Sequence, residues 1–133
     1  MIRHLFNIIL LGVLLPVAAF SQINTDKVMT VGRNALYFED YVLSIQYFNQ
    51  VIGVKPYLAE PYFFRGLAKI NLDDYQGAEK DCSEAIQRNP FVVNAYQIRG
   101  IARIRQNNFK GAVADYQRAL KLDPENISLW HNL

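Results

Sequence analysis

The chain has 133 residues, of which 51% are hydrophobic and 20% charged, a balance that fits one globular domain and excludes a disordered tail. Its net charge of +2, with no basic cluster or aromatic–basic stripe, argues against capture of nucleic-acid backbones. A lone cysteine, Cys82, leaves no internal disulfide and no multi-cysteine metal site.

The first residues read as an export signal. "MIRH" supplies a positive start, "LFNIILLGVLL" an apolar core, Pro16 a helix break, and "VAAFSQ" small residues at signal-peptidase spacing. Cleavage after Ser21 puts Ala19 and Ser21 in the two small pockets and leaves Gln22 as the new N-terminus. Residues 1–21 are thus expected to be removed and 22–133 to form the exported domain, periplasmic or secreted. The alternative is a membrane anchor over residues 5–20. That stretch is shorter than the ~20 residues a spanning helix needs, and it contains a proline. No cysteine lies near the cleavage region, which excludes a lipid-modified N-terminus.

From Thr25 onward the chain repeats itself. Pro56, Pro90 and Pro124 are 34 residues apart, as are Gly32, Gly66 and Gly100; Tyr41, Tyr75 and Phe109 keep the same step, and so do Val28, Tyr62, Tyr96 and Trp130. A period of this length marks stacked supersecondary units. The expected units are 25–58, 59–92 and 93–126, with a partial fourth over 127–133. Within the second, Tyr62, Arg65, Gly66 and Lys69 share one helical face, and Tyr75, Ala78, Cys82, Ala85 and Ile86 share another. Between the two helices Asp40, Asp74 and Asn108 offer N-caps, each contributing about 1 kcal/mol. The proline near each unit's end stops its second helix.

These residues resemble the tetratricopeptide repeat, with its pattern W-x2-L-G-x2-Y, then A-x3-F, then P. Unit three matches through Tyr96, Arg99, Gly100, Arg103, Ala112, Tyr116, Ala119 and Pro124. Unit two matches through Tyr62, Arg65, Gly66, Lys69, Ala78, Cys82, Ala85 and Pro90; unit one, more weakly, through Val28, Val31, Gly32, Ala35, Ser44, Phe48, Val51 and Pro56. Trp130 and Leu133 are the W and L of a fourth unit that has only begun. The chain is therefore expected to be the N-terminal part of a longer array, the alternative being a short protein whose last half-helix covers unit three. The resemblance implies an all-α solenoid of antiparallel helix pairs, in which glycine and alanine permit close helix approach and aromatics fill the space between units.

Arg65 and Arg99 stand where the family has leucine, and Asp81 and Asp115 follow 16 residues later in each case. Unit one has Val31 and Tyr47 instead. Two Arg–Asp bridges are expected, each tying a unit's first helix to its second. Cys82 is expected to be a small buried hydrophobe, because no histidine accompanies it. With only His4 and His131 present, no nucleophilic triad or metal set can be assembled, so no catalysis and no cofactor are expected.

What remains is the concave groove that first helices line in this family. The positions it implies here are Met29, Arg33, Leu36 and Tyr37 in unit one; Glu60, Phe63, Leu67, Ile70 and Asn71 in unit two; and Asn94, Gln97, Ile101, Ile104 and Arg105 in unit three. Such a strip suits an extended or helical peptide, unless the chain's own segments cover it. Some family members clamp a peptide's terminal carboxylate with Lys and Asn. Those places hold Met29, Arg33, Phe64, Asn94 and Ile98, so a chaperone-tail partner is not expected. The sequence reads as an exported, non-catalytic scaffold for a protein or peptide, without nucleic acid. The alternative is the sensory front end of a longer signalling protein.

Overall fold

A computed structural model describes residues 23–126. The export segment and Trp130, His131 and Leu133 of the begun fourth unit lie outside these. Six helices and no strand occur among the described residues: α1 Thr25–Tyr37, α2 Tyr41–Val54, α3 Glu60–Asn71, α4 Tyr75–Arg88, α5 Val93–Arg105 and α6 Phe109–Leu122. Each packs on its neighbours in sequence, and the first helices also touch one another, α1 with α3 and α3 with α5. This is an α-solenoid of helix pairs, with α1, α3 and α5 on its inner side.

The turn inside each pair is built the same way three times. Glu39, Asp73 and Asn107 adopt left-handed backbone conformations, with φ of 63°, 61° and 63°. The following residue donates its amide to a carbonyl five back, Asp40 to Ala35, Asp74 to Lys69 and Asn108 to Arg103, which closes a Schellman motif. Those same three residues then cap the next helix, their side chains accepting from the amides of Leu43, Gly77 and Gly111. One residue thus finishes one helix and starts another. The second helices end at Val54, Arg88 and Leu122, two residues before Pro56, Pro90 and Pro124.

Inside a pair, glycine sets the helix separation. A Cβ added at Gly32 would lie 2.8 Å from the Phe48 ring, one at Gly100 2.9 Å from the Tyr116 ring, and one at Gly66 3.1 Å from Cys82 Sγ. Ala78, Ala85, Ala112 and Ala119 are buried with them. Phe48 and Tyr116 lose essentially all their exposed surface, which for a large side chain contributes on the order of 1.5–3 kcal/mol each.

Polar contacts tie one pair to the next. The Tyr62 hydroxyl donates to the Pro56 carbonyl at 3.0 Å and the Tyr96 hydroxyl to Pro90 at 2.9 Å. Arg65 grips Asp81 through two bonds of 2.8 and 2.7 Å and reaches back to Asn49 at 2.8 Å. Arg99 does the same with Asp115 and, at 3.2 Å, Ser83. Each arginine therefore spans three helices. The expected Arg–Asp bridges are present, and each buried carboxylate holds a second cation as well, Lys69 at 2.9 Å from Asp81 and Arg103 at 2.9 Å from Asp115. Its hydrogen bond to Asp81, followed by the charge of that carboxylate, pushes the Arg65 guanidinium pKa upward against the opposing effect of burial.

Candidate functional site

The inner-face positions divide into core and surface. Met29, placed in the groove by the sequence, is only 8% exposed and packs with Phe48 and Val51. Its place on α1 turns toward α2 as much as toward the groove, so it forms floor and not contact surface. Phe63 packs on the cluster of Tyr62, Ala85 and Ala95, while Ile101 and Ile104 pack on Tyr96, Ala112 and Tyr116. These three are half-buried and partly serve the stack. Ile70, Leu67 and Gln97 are also half-buried; Tyr37, Asn71, Asn94 and Arg105 are exposed. The Asn71 amide donates to the Leu67 carbonyl on its own helix, and Arg105 lies 5.8 Å from the Tyr75 ring.

Two depressions lie where units one and two meet, around Arg33. Its guanidinium stands 3.3 Å from Glu60 across the unit boundary and 5.9 Å from the centre of the Phe64 ring. Phe64 in turn stacks on Phe48 at 5.8 Å. Arg33 forms a wall shared by two depressions. One, of about 480 Å³, lies between α1 and the start of α3, with Asp26, Thr30 and Leu58 on its rim. The other, of about 350 Å³, lies between Leu36, Tyr37, Phe64 and Leu67, with Asn71 at one end. The first is the more polar; the second is an apolar seat beside a cation.

Asp26, Thr30 and Leu58 are not among the groove positions that the sequence implies. Asp26 and Thr30 sit one helical step from Met29 and Arg33, a signal that helical spacing could have given; Leu58 lies in the connection between units, where no periodicity reaches. Arg33 and Glu60 carry exposed side chains, so their ion pair contributes little to stability and is available for exchange with a ligand.

Cys82 is fully buried against Gly66, and burial, with the Asp81 charge adding to it, pushes its thiol up to about 12. It is not a thiolate at neutral pH. Among the described residues no group of His, Cys, Asp and Glu is arranged to hold a metal ion, and no helix is long and apolar enough to cross a membrane.

Residues 59–91 match a family model described as tetratricopeptide repeat, and residues 100–133 one described as TPR repeat. No curated protein sequence matches the chain. Among solved structures, the TPR domain of Arabidopsis OM64 is similar at 28% identity and a TM-score of 0.80, over 81% of this chain and 89% of that one. The first TPR of Spaghetti (RPAP3), bound to the HSP90 peptide SRMEEVD, is similar at 27% identity and 0.81, over 85% and 89%. The second TPR domain of human RPAP3, in complex with the HSP70 peptide SGPTIEEVD, is similar at 25% identity and 0.77, over 80% and 88%.

Proposed function

Since the chain belongs to the tetratricopeptide repeat family, we propose that it is a non-catalytic interaction scaffold whose inner groove holds a peptide or protein partner. The observation that carries this reading is the pair of depressions flanking Arg33, one apolar and one polar, on the side where the first helices meet. An apolar side chain of the partner seats between Leu36, Phe64 and Leu67, and a neighbouring polar group exchanges with the Arg33–Glu60 pair. Anchor in a pocket plus a polar contact that sets register is how such grooves hold peptides. Peptide complexes of the RPAP3 domains support the peptide class. An acidic chaperone tail fits less well. Of the five places where the clamp of that kind would stand, only Arg33 and Asn94 are exposed and polar, while Met29 is core and Phe64 is stacked on Phe48.

Residues 1–21 carry the proposal of export to a bacterial periplasm or beyond. N-terminal sequencing of the protein from fractionated cells tests it: Gln22 at the mature end of an envelope or secreted fraction supports it, and an intact Met1 in the cytoplasm refutes it. For the scaffold reading, partners captured from an envelope extract by the purified protein are compared with those captured by Leu67→Asp and Tyr37→Ala. Both variants change the apolar seat and spare the buried core. Circular dichroism checks that they fold. Loss of the same specific partners from both supports the groove; unchanged recovery refutes it.

A further inference from the structure

The first turns of the inner helices form one row across the groove: Asp26 on α1, Glu60 on α3 and Asn94 on α5, each one period after the last and each exposed. Charge on this row is confined to units one and two, where both carboxylates line the more polar of the two depressions beside Arg33. Neither is firmly held. Among the described residues no cation pairs with the Asp26 carboxylate. Glu60 has only Arg33, at 3.3 Å, with the two side chains 57% and 48% exposed. The other ion pairs among the described residues close to 2.6–2.9 Å, between side chains no more than 35% exposed. Charge-assisted bonds prefer that shorter range, so the Arg33–Glu60 pair is the loose one. Arg33 also has the Phe64 ring at 5.9 Å, a second contact that holds it when Glu60 turns elsewhere. The polar depression therefore carries two carboxylates against one guanidinium that is already shared. On the far side of Arg33 lies the apolar seat of Leu36, Phe64 and Leu67.

We propose that the groove selects a peptide segment with a lysine or arginine side chain close to an apolar one. The cation enters the polar depression between Asp26 and Glu60, and the apolar side chain fills the seat beside Leu36 and Leu67. This rests on the scaffold reading and adds to it the charge of the partner. A cation gives Asp26 the counter-charge it lacks and takes Glu60 from a long, exposed pair, so no buried interaction is lost. An acidic side chain at the same place meets two like charges, the arrangement by which interfaces reject wrong partners. The two anchors stand on either side of a single residue, Arg33. Neighbouring side chains on one side of a peptide cover such a span, two residues apart when extended and three or four apart when helical.

Selection of short random linear peptides, displayed on phage, against the purified protein tests the proposal. The expected result is enrichment of peptides with Lys or Arg within about four residues of a large apolar side chain. The leading peptide is then synthesised with an acetylated N-terminus, so that a side chain supplies its cation, and titrated by fluorescence anisotropy. Its affinity should fall about tenfold with Asp26→Lys or Glu60→Lys in the protein, or with glutamine for the basic residue of the peptide, and should weaken as salt is added. Asp26 and Glu60 are exposed, so neither change threatens folding. Glu125→Lys, the same change of charge at an exposed site at the far end of the stack, should leave the affinity unaltered. Enrichment of acidic or uncharged peptides, no enrichment, or an affinity indifferent to both Asp26→Lys and Glu60→Lys overturns the proposal. Leu67→Asn, which spoils the apolar seat without changing charge, separates it from the scaffold reading. Acidic or uncharged peptides that lose affinity for Leu67→Asn leave the groove standing and remove only the charge preference; peptides of any charge indifferent to Leu67→Asn overturn both.

Discussion

Unit one and unit three share a backbone and differ in what closes them. Both have the left-handed turn residue, the Asp or Asn that ends one helix and caps the next, and a glycine facing a buried ring, Gly32 on Phe48 and Gly100 on Tyr116. Unit three adds Arg99, which grips Asp115 and reaches back to Ser83, and Tyr96, which bonds to the Pro90 carbonyl. In unit one these positions are Val31, Tyr47 and Val28. Close packing within a pair is therefore common to all units, whereas the polar contacts occur where there is a described pair behind to hold. The arginine bonds to Asn49 and Ser83 and the Arg103–Glu79 ion pair fix one pair on another, while the Arg–Asp bridges lie within a pair, where unit one shows that apolar side chains suffice.

The largest effect should come from breaking a polar clip on one side only. Asp81 is buried, with Arg65 and Lys69 on it. Asp81→Ala leaves two cations without their carboxylate and should destabilise the protein by about 3–5 kcal/mol in urea melts. Arg65→Val/Asp81→Tyr, which copies the Val31–Tyr47 pair of unit one, should cost clearly less, because both buried charges go together and Lys69 can extend to water. A double variant as damaged as the single one would mean the two units do not use interchangeable solutions.

Next in size are the glycines. Gly100→Ala drives a methyl into the ring of Tyr116, which is fully buried and has nowhere to move, and should lose about 1–3 kcal/mol. Gly66→Ala meets Cys82 Sγ at 3.1 Å and Asp81 Cβ at 3.3 Å, both looser than the Tyr116 contact, and should lose less. Gly53, with nothing within 4 Å of an added Cβ, lies inside α2, and Gly53→Ala should gain up to about 1 kcal/mol. Thermal melts of the three variants give the order directly.

Unit two alone places a thiol against its glycine, and alkaline pH should single it out. The folded Cys82 is held protonated up to about 12, while the unfolded thiol ionises from 9.0. Above pH 9 the unfolded state therefore binds fewer protons than the folded one, and stability falls as pH rises toward 12. Below pH 9 this contribution is fully present. Cys82→Ala should flatten that part of the pH dependence of Tm relative to the parent. Equal slopes in both would show that Cys82 is not the group responsible.

Much of this was legible in the chain because it recurs. The 34-residue period, the three capping residues and the 16-residue Arg–Asp spacing each appear two or three times, and repetition separates a structural requirement from chance. Contacts that cross from one pair to the next were harder to see. Arg65 and Lys69, like Arg99 and Arg103, stand four residues apart on one helical face, so the second cation on each aspartate had a signal in the spacing. The bonds of Arg65 to Asn49 and of Arg99 to Ser83 keep the same 16-residue spacing and 34-residue period, but Asn and Ser differ in type, so position alone carried that signal. The groove was read less well. Helical spacing assigns residues to a face, but Met29 lies at the margin between the groove and the α2 contact, and packing of Phe48 and Val51 decided it for the core.

The smallest expected effect lies in the turns, where the units differ by one residue type. Positive φ costs a side-chain-bearing residue roughly 1 kcal/mol, less for asparagine, which tolerates this conformation. Unit one uses Glu39 there and unit three Asn107, at the same φ of 63°. Glutamate has no short amide to bond locally, so its strain is the less compensated. Glu39→Gly should raise stability by about 0.5–1 kcal/mol, and Asn107→Gly by a few tenths or not at all, because glycine gains backbone entropy when unfolded. The two variants preserve the Schellman bonds from Asp40 to Ala35 and Asn108 to Arg103, so the difference between their urea midpoints isolates the turn residue itself. A larger gain at Asn107 than at Glu39 would mean that the Glu39 side chain is stabilised by contacts beyond the turn.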